Sequence, residues 1–221
     1  MLTRGAFITL EGPDGGGKTT QAGLLARRLA AEGYDVVRTH EPGGTGIGQR
    51  IRDIILDTGS SGMCGTAEFL LYAADRAQDV AEVILPALAR GQVVIAERFV
   101  DSSLAYQGYG LGMDIESVTV VNSIATGGLK PDLTVLLDVD PRIGVERVTG
   151  CRDADRIEAR KIEFHGAVRA AYLSLASREP ERFRVVCVAR RRVDEVHEEI
   201  YASVARFLED RAREVRPDAN L

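Results

Sequence analysis

Residues 12 to 19 read Gly12-Pro13-Asp14-Gly15-Gly16-Gly17-Lys18-Thr19, a glycine-rich loop between the apolar run Ala6–Glu11 and a helical stripe carrying Ala22, Leu25, Ala26 and Leu29. A strand that enters such a loop and a helix that leaves it form half of a crossover unit, which buries its strands in a parallel sheet. The rest of the chain repeats the alternation. Apolar runs at Asp35–Thr39, Val93–Glu97, Leu133–Val139 and Phe183–Val188 read as four further strands. Helical patterns at Ile47–Asp57, Thr66–Arg90, Asp114–Thr126, Pro141–Val148, Ile157–Ser177 and Val193–Glu214 fill the space between them. The first helix runs to about Glu32, with Gly33 as its stop. Gly59–Gly65 and Gly108–Gly112 read as flexible loops. The expected fold is α/β: a three-layer αβα sandwich around a five-stranded parallel sheet.

With 221 residues, 45% of them hydrophobic, the chain can bury one sizeable core. Residues 1–215 therefore read as a single domain and Arg216–Leu221 as a tail. A net charge of -5 argues against a nucleic-acid partner, because a phosphate-backbone footprint needs a broad basic surface. Cys64, Cys151 and Cys187 lack metal-ligand spacing and suit a reducing compartment. The run Ala6–Leu10 is too short for a signal-peptide core, and no stretch approaches the roughly 20 apolar residues of a membrane span. A cytoplasmic protein with no membrane partner is the expectation.

The loop itself satisfies G-x-x-x-x-G-K-[ST] in the strand-loop-helix context that this phosphate-binding pattern requires. Glycines allow backbone N–H groups to wrap phosphates, and the following helix N-terminus adds a positive dipole end. Lys18 is placed to reach the β- and γ-phosphates of a nucleoside triphosphate, and the Thr19 hydroxyl to sit on Mg²⁺. No Asn-Lys-x-Asp stretch for guanine recognition is present, which weakens a GTPase reading.

The third apolar run ends in Glu97-Arg98, where a doubly wound sheet opens its ligand crevice. Alone, this pair could be a surface ion pair; beside a P-loop, it suits the meeting point of donor and acceptor phosphates. Together with Glu41-Pro42-Gly43-Gly44-Thr45, Glu68-Phe69-Leu70-Leu71-Tyr72-Ala73-Ala74-Asp75-Arg76-Ala77-Gln78, the Glu97–Gly108 segment and Asp155-Arg156-Ile157-Glu158, the P-loop resembles thymidylate kinase over roughly residues 5 to 210.

That resemblance implies a P-loop nucleoside monophosphate kinase that makes dTDP from dTMP and ATP with Mg²⁺, in dTTP biosynthesis, as a homodimer. The ATP site it implies runs through Gly12, Pro13, Asp14, Gly15, Gly16, Gly17, Lys18, Thr19 and Thr20. Tyr72 stands where the family usually has a phenylalanine that stacks on thymine, and a tyrosine keeps the aromatic face. Arg76, one helical turn on, matches the arginine that reads a base carbonyl; its donors suit O4 of thymine and not the amino group of cytosine. Arg98 matches the clamp on the monophosphate. Ser103, Tyr106 and Gln107 match positions beside base and sugar, with Tyr106 crowding a ribose 2′-hydroxyl. Arg52 matches an arginine near the acceptor phosphate, and Glu41 and Pro42 belong to the tight turn before that helix. Glu97 replaces a frequent aspartate and keeps a carboxylate near Mg²⁺, and Asp14 is placed near the acceptor sugar and the phosphates.

Residues 147–160 carry Arg147, Arg152, Arg156 and Arg160 around small residues, as a lid over ATP requires. The same segment could be a charged, exposed helix. Thymidylate kinases differ in whether a catalytic arginine lies in the P-loop or in the lid. Pro13 to Gly16 contain none, so the resemblance implies a lid arginine, either Arg152 or Arg156. His40, His165 and His197 match no family site, and the Arg190-Arg191-Arg192 run is suitably placed for adenine or is a solvated turn. The competing readings are another (deoxy)nucleoside monophosphate kinase and a nucleotide-binding regulatory protein without transfer.

Overall fold

The computed structural model of the protein describes residues 5–150 and 154–214. In chain order these form β1 (Ala6–Glu11), α1 (Lys18–Ala31), β2 (Val36–His40), α2 (Gly46–Leu56), α3 (Gly65–Asp79), α4 (Leu85–Ala89), β3 (Val93–Glu97), α5 (Val100–Ser103), α6 (Ile115–Thr126), β4 (Leu133–Asp138), α7 (Pro141–Thr149), α8 (Ile162–Arg178), β5 (Phe183–Cys187) and α9 (Val193–Glu214). The five strands make one sheet in the order β2-β3-β1-β4-β5, with every pairing parallel.

β1 lies at the centre, with Ile8 opposite both Ile95 and Leu133. Its six residues are all buried, which is why it reads as a continuous apolar run rather than an alternation. On one face, Leu25 and Leu29 of α1 meet Ile200, Val204 and Leu208 of α9 over the strand side chains. Each such burial contributes roughly 2 kcal/mol. On the other face, Phe7 packs edge-on against Phe99 at 4.9 Å, and Leu136 packs with Val168 and Tyr172 of α8. Because β1 pairs with β3 on one side and with β4 on the other, the carboxyl ends of these three strands border the crevice.

Three segments depart from the sequence expectation. The long helix expected over Thr66–Arg90 is interrupted by a π-helical turn at Val80–Ile84, just before Pro86, whose ring and missing N–H displace the regular hydrogen-bond ladder. The loop expected at Gly108–Gly112 is largely a second π-helical segment, Leu104–Gly110. Its Ala105, Tyr106, Gln107 and Gly108 are buried, so packing organises what composition reads as flexible. The helix expected from Ile157 begins at Ile162 instead. Asp155 is the cause: its carboxylate accepts the backbone N–H groups of Ile157 and Glu158, both at 2.9 Å, closing a turn that competes with helix.

Candidate active site

The P-loop follows β1 directly. Gly12 has φ 133, and an added Cβ would collide with the Leu137 carbonyl of β4. Gly15 has φ 72 and abuts the backbone of Gly144 on α7. Only glycine fits either position. Gly17 then caps α1 in a left-handed conformation. The Lys18 ammonium donates to the carbonyls of Gly12 at 2.9 Å and Pro13 at 2.8 Å, folding back over the loop. Burial lowers it to about 7, reinforced by Arg98 and opposed by Asp14, Glu11 and Glu97. Arg147 of α7 reaches the same loop, donating to Gly15 C=O at 3.3 Å and to Val188 C=O at 3.4 Å.

Beside the cradle, the Thr19 hydroxyl donates to Glu97 at 2.6 Å, and Arg38 of β2 pairs with the second Glu97 oxygen at 3.1 Å. A hydroxyl and a carboxylate in contact next to a phosphate loop are hard oxygen donors, and Mg²⁺ is commonly held by one or two such groups completed by substrate phosphates and water. The residues therefore fit Mg²⁺. Among the described residues, no group of three or more His, Cys, Asp or Glu forms an all-protein metal cage.

Across from the cradle, Arg98 stands at φ 71. Its guanidinium pairs with Asp14, donates to the Tyr106 hydroxyl at 3.1 Å and to the Ser102 hydroxyl at 3.2 Å, and lies 4.9 Å over the Tyr106 ring. The Tyr106 hydroxyl in turn donates to Asp14 at 2.8 Å. Burial works to raise the Asp14 carboxyl, but Arg98, Lys18 and this hydroxyl outweigh it and hold it below the usual carboxylate range. A cation with planar donors, balanced by one carboxylate and facing Lys18, can exchange that carboxylate for a phosphate.

One cavity of about 360 Å³ joins the two halves. Asp14, Lys18, Thr19 and Thr20 line its cradle end, and Tyr72, Arg76, Arg98, Ser103, Tyr106 and Gln107 line its far wall, with Glu41, Pro42 and Arg52 on the flank. Arg52 donates to the Pro42 carbonyl at 2.8 Å, which ties α2 to the turn after β2.

Comparison with known proteins decides the family. A family model described as thymidylate kinase matches residues 10–200. A thymidylate kinase of Halothermothrix orenii is 52% identical over 204 residues, covering 91% of this chain and 97% of the relative. One of Deinococcus radiodurans is 48% identical over 204 residues, covering 92% and 98%. The solved thymidylate kinase of Ehrlichia chaffeensis superposes with a TM-score of 0.75 at 32% identity, over 90% of this chain and 98% of that one. The chain belongs to the thymidylate kinase family.

Two residues singled out from the family pattern stand differently in the structure. Arg76 is 1% exposed, and its N–H groups are taken by Glu41 at 2.6 and 2.8 Å, Ser103 at 2.8 Å, Asn122 at 2.6 Å and the Phe99 carbonyl at 2.9 Å. It borders the cavity as the hub of a buried network and not as an open donor. Arg156, one of the two lid arginines that the family pattern offers, pairs with Glu68 of α3 at 2.8 Å and donates to the Ile55 carbonyl at 2.8 Å, outside the cavity lining. The cause is electrostatic. Glu68 is fully buried and attracts both Arg156 and Arg160, because an isolated carboxylate there would be costly. Arg152 lies outside the described residues. Arg191 and Arg192 pair with Glu199 at 2.5 Å and Asp194 at 2.8 Å, forming a solvated turn ahead of α9.

Sequence reasoning did not single out Glu11, Ser102, Asn122 or Tyr172. Glu11 had a visible signal, a charge closing an apolar run just before the glycine loop. Asn122 and Tyr172 lie on helical stripes and had none.

Proposed function

We propose that this chain transfers the γ-phosphoryl group of ATP to dTMP, giving ADP and dTDP. The observation that carries this is that one cavity is lined both by Lys18 and Thr19 and by Tyr72, Tyr106 and Arg98. The family membership and the names of its relatives support the same substrate.

ATP binds along Gly12 to Thr20, its phosphates taking the loop N–H groups and drawing the Lys18 ammonium off the Gly12 and Pro13 carbonyls. Thr19 and Glu97 hold Mg²⁺, which supplies neutralisation of charge on the phosphates when bound. The dTMP phosphate displaces Asp14 from Arg98. Tyr72 stacks on the thymine, and Tyr106 closes the space a ribose 2′-hydroxyl would need. A phosphate monoester is largely dianionic at neutral pH, so these residues need only align two phosphates and offset their charge, with no strong general base. A lid arginine, Arg152 or Arg156, adds the remaining positive charge.

Residues 147–160 serve as the lid of one kinase unit spanning residues 1–215. The working form is a homodimer in the cytoplasm, supported by Leu70 of α3 and by Val120 and Ile124 of α6, at 51%, 52% and 77% exposure on two helices that pack together. No helix among the described residues is long and apolar enough to cross a membrane.

The test is coupled ADP release with ATP and Mg²⁺, offering dTMP, dUMP, dCMP, dGMP and UMP separately, for the native chain and Arg98→Ala. The expected result is preference for dTMP, with kcat/KM falling ~100-fold or more in Arg98→Ala. Equal turnover of another monophosphate would overturn the reading of Tyr72, and ADP release independent of any acceptor would overturn the transfer itself.

A further inference from the structure

The clamp arginine occupies a backbone conformation that needs outside support. Arg98 has φ 71, in the left-handed region that costs a non-glycine residue free energy and persists only where its surroundings enforce it. Both adjoining N–H groups are pinned to β1: that of Arg98 donates to the Leu10 carbonyl at 3.0 Å, and that of Phe99 to Glu11 Oε1 at 2.7 Å. Glu11 is wholly buried, and its Oε2 accepts from the Ser102 hydroxyl at 2.7 Å and the Tyr172 hydroxyl at 2.9 Å.

Tyr172 therefore completes the support. Its hydroxyl lies 2.7 Å from the Ser102 hydroxyl and accepts from Arg98 Nη1 at 3.4 Å. It projects from α8, is fully buried and stands behind Arg98, outside the cavity lining. We propose that Tyr172 is a positioning residue for the acceptor phosphate, its hydroxyl fixing the Arg98 guanidinium and the turn that carries it through Glu11 and Ser102. This rests on the reading of Arg98 as the phosphate clamp.

Tyr172→Phe removes one oxygen and leaves the ring, which packs edge-on 6.3 Å from that of Tyr106. Calorimetric titration of the full chain with dTMP and with thymidine, which lacks the phosphate, separates positioning from packing. The expected result for Tyr172→Phe is dTMP binding weakened about five- to tenfold with thymidine binding unchanged. In an Arg98→Lys background, Tyr172→Phe should add nothing further, because the two residues act as one unit. Equal weakening of both ligands, no weakening, or a full additional loss in the Arg98→Lys background would each overturn the proposal. If Arg98→Lys alone binds dTMP like the native chain, the clamp reading fails first and the role of Tyr172 falls with it.

Discussion

Asp79, the last residue of α3, is a buried carboxylate behind the turn at residues 41–45, and its replacement by Asn tests how burial sets charge in this fold. It is fully buried; one oxygen accepts from Thr39 at 2.6 Å, and the other has no hydrogen-bond partner among the described residues. Burial, with Asp75 adding to it against the Thr39 bond, raises its carboxyl from the ordinary 3.8 to about 6. At about 1.4 kcal/mol for each tenfold change in equilibrium, that difference corresponds to roughly 3 kcal/mol of opposition to folding when the group is ionised. Below the unfolded value both states hold the proton and there is no opposition. Between 3.8 and about 6 the unfolded chain ionises first, so stability falls as pH rises, and above that window the cost is fully present. Asp79→Asn removes the titration, while its amide needs an acceptor that costs about 1–2 kcal/mol if unmet. The variant should therefore be ~1–2 kcal/mol more stable than the native chain at about pH 8. That advantage should shrink by roughly 2 kcal/mol at about pH 4.5. Urea unfolding of both proteins at the two pH values measures it. A stability difference that stays constant with pH would refute the argument, since packing and neutral hydrogen bonds do not titrate.

Two further outcomes follow from the buried ion pairs. Arg76→Met strands Glu41, Ser103, Asn122 and the Phe99 carbonyl together, so it should cost ~3–5 kcal/mol and lower the calorimetric melting midpoint by roughly 10 °C; a midpoint within a degree or two of native would show that the network is dispensable. Glu68→Gln removes the charge that holds Arg156 and Arg160, and trypsin should then cleave at these two arginines several-fold faster, with bound ATP restoring part of the protection; unchanged digestion would mean that the Ile55 carbonyl suffices as anchor.

The elements that could be read from sequence are those whose signal is local. The apolar run Ala6–Glu11, the glycines of residues 12–17 and the Glu97-Arg98 step each state their own backbone requirement, and the structure places them together at the sheet's carboxyl edge. The π-helical segment Leu104–Gly110 was not legible, because its glycines suggest a loop while burial against α8 orders it. The start of α8 was missed because Asp155 offers the backbone a competing turn. Arg156 was legible as a charge and not as a partner of Glu68, which is distant in the chain and contributes its carboxylate only once α3 has folded.

Periodicity and local chemistry therefore determined the strand–helix alternation, the phosphate loop and the inventory of aromatic and charged groups available for an acceptor. The tertiary structure alone decided how those charges are shared. Arg76 is sealed into a buried network, Arg98 is left facing Lys18, and Tyr172 is brought from α8 to the end of β1. The physical reason is that a side chain's rotamer preferences and charge are properties of its residue type, whereas its hydrogen-bond partners and the water it loses are set by segments far away in sequence. A guanidinium with five donors takes whichever acceptors the packed elements deliver, and no local pattern lists them.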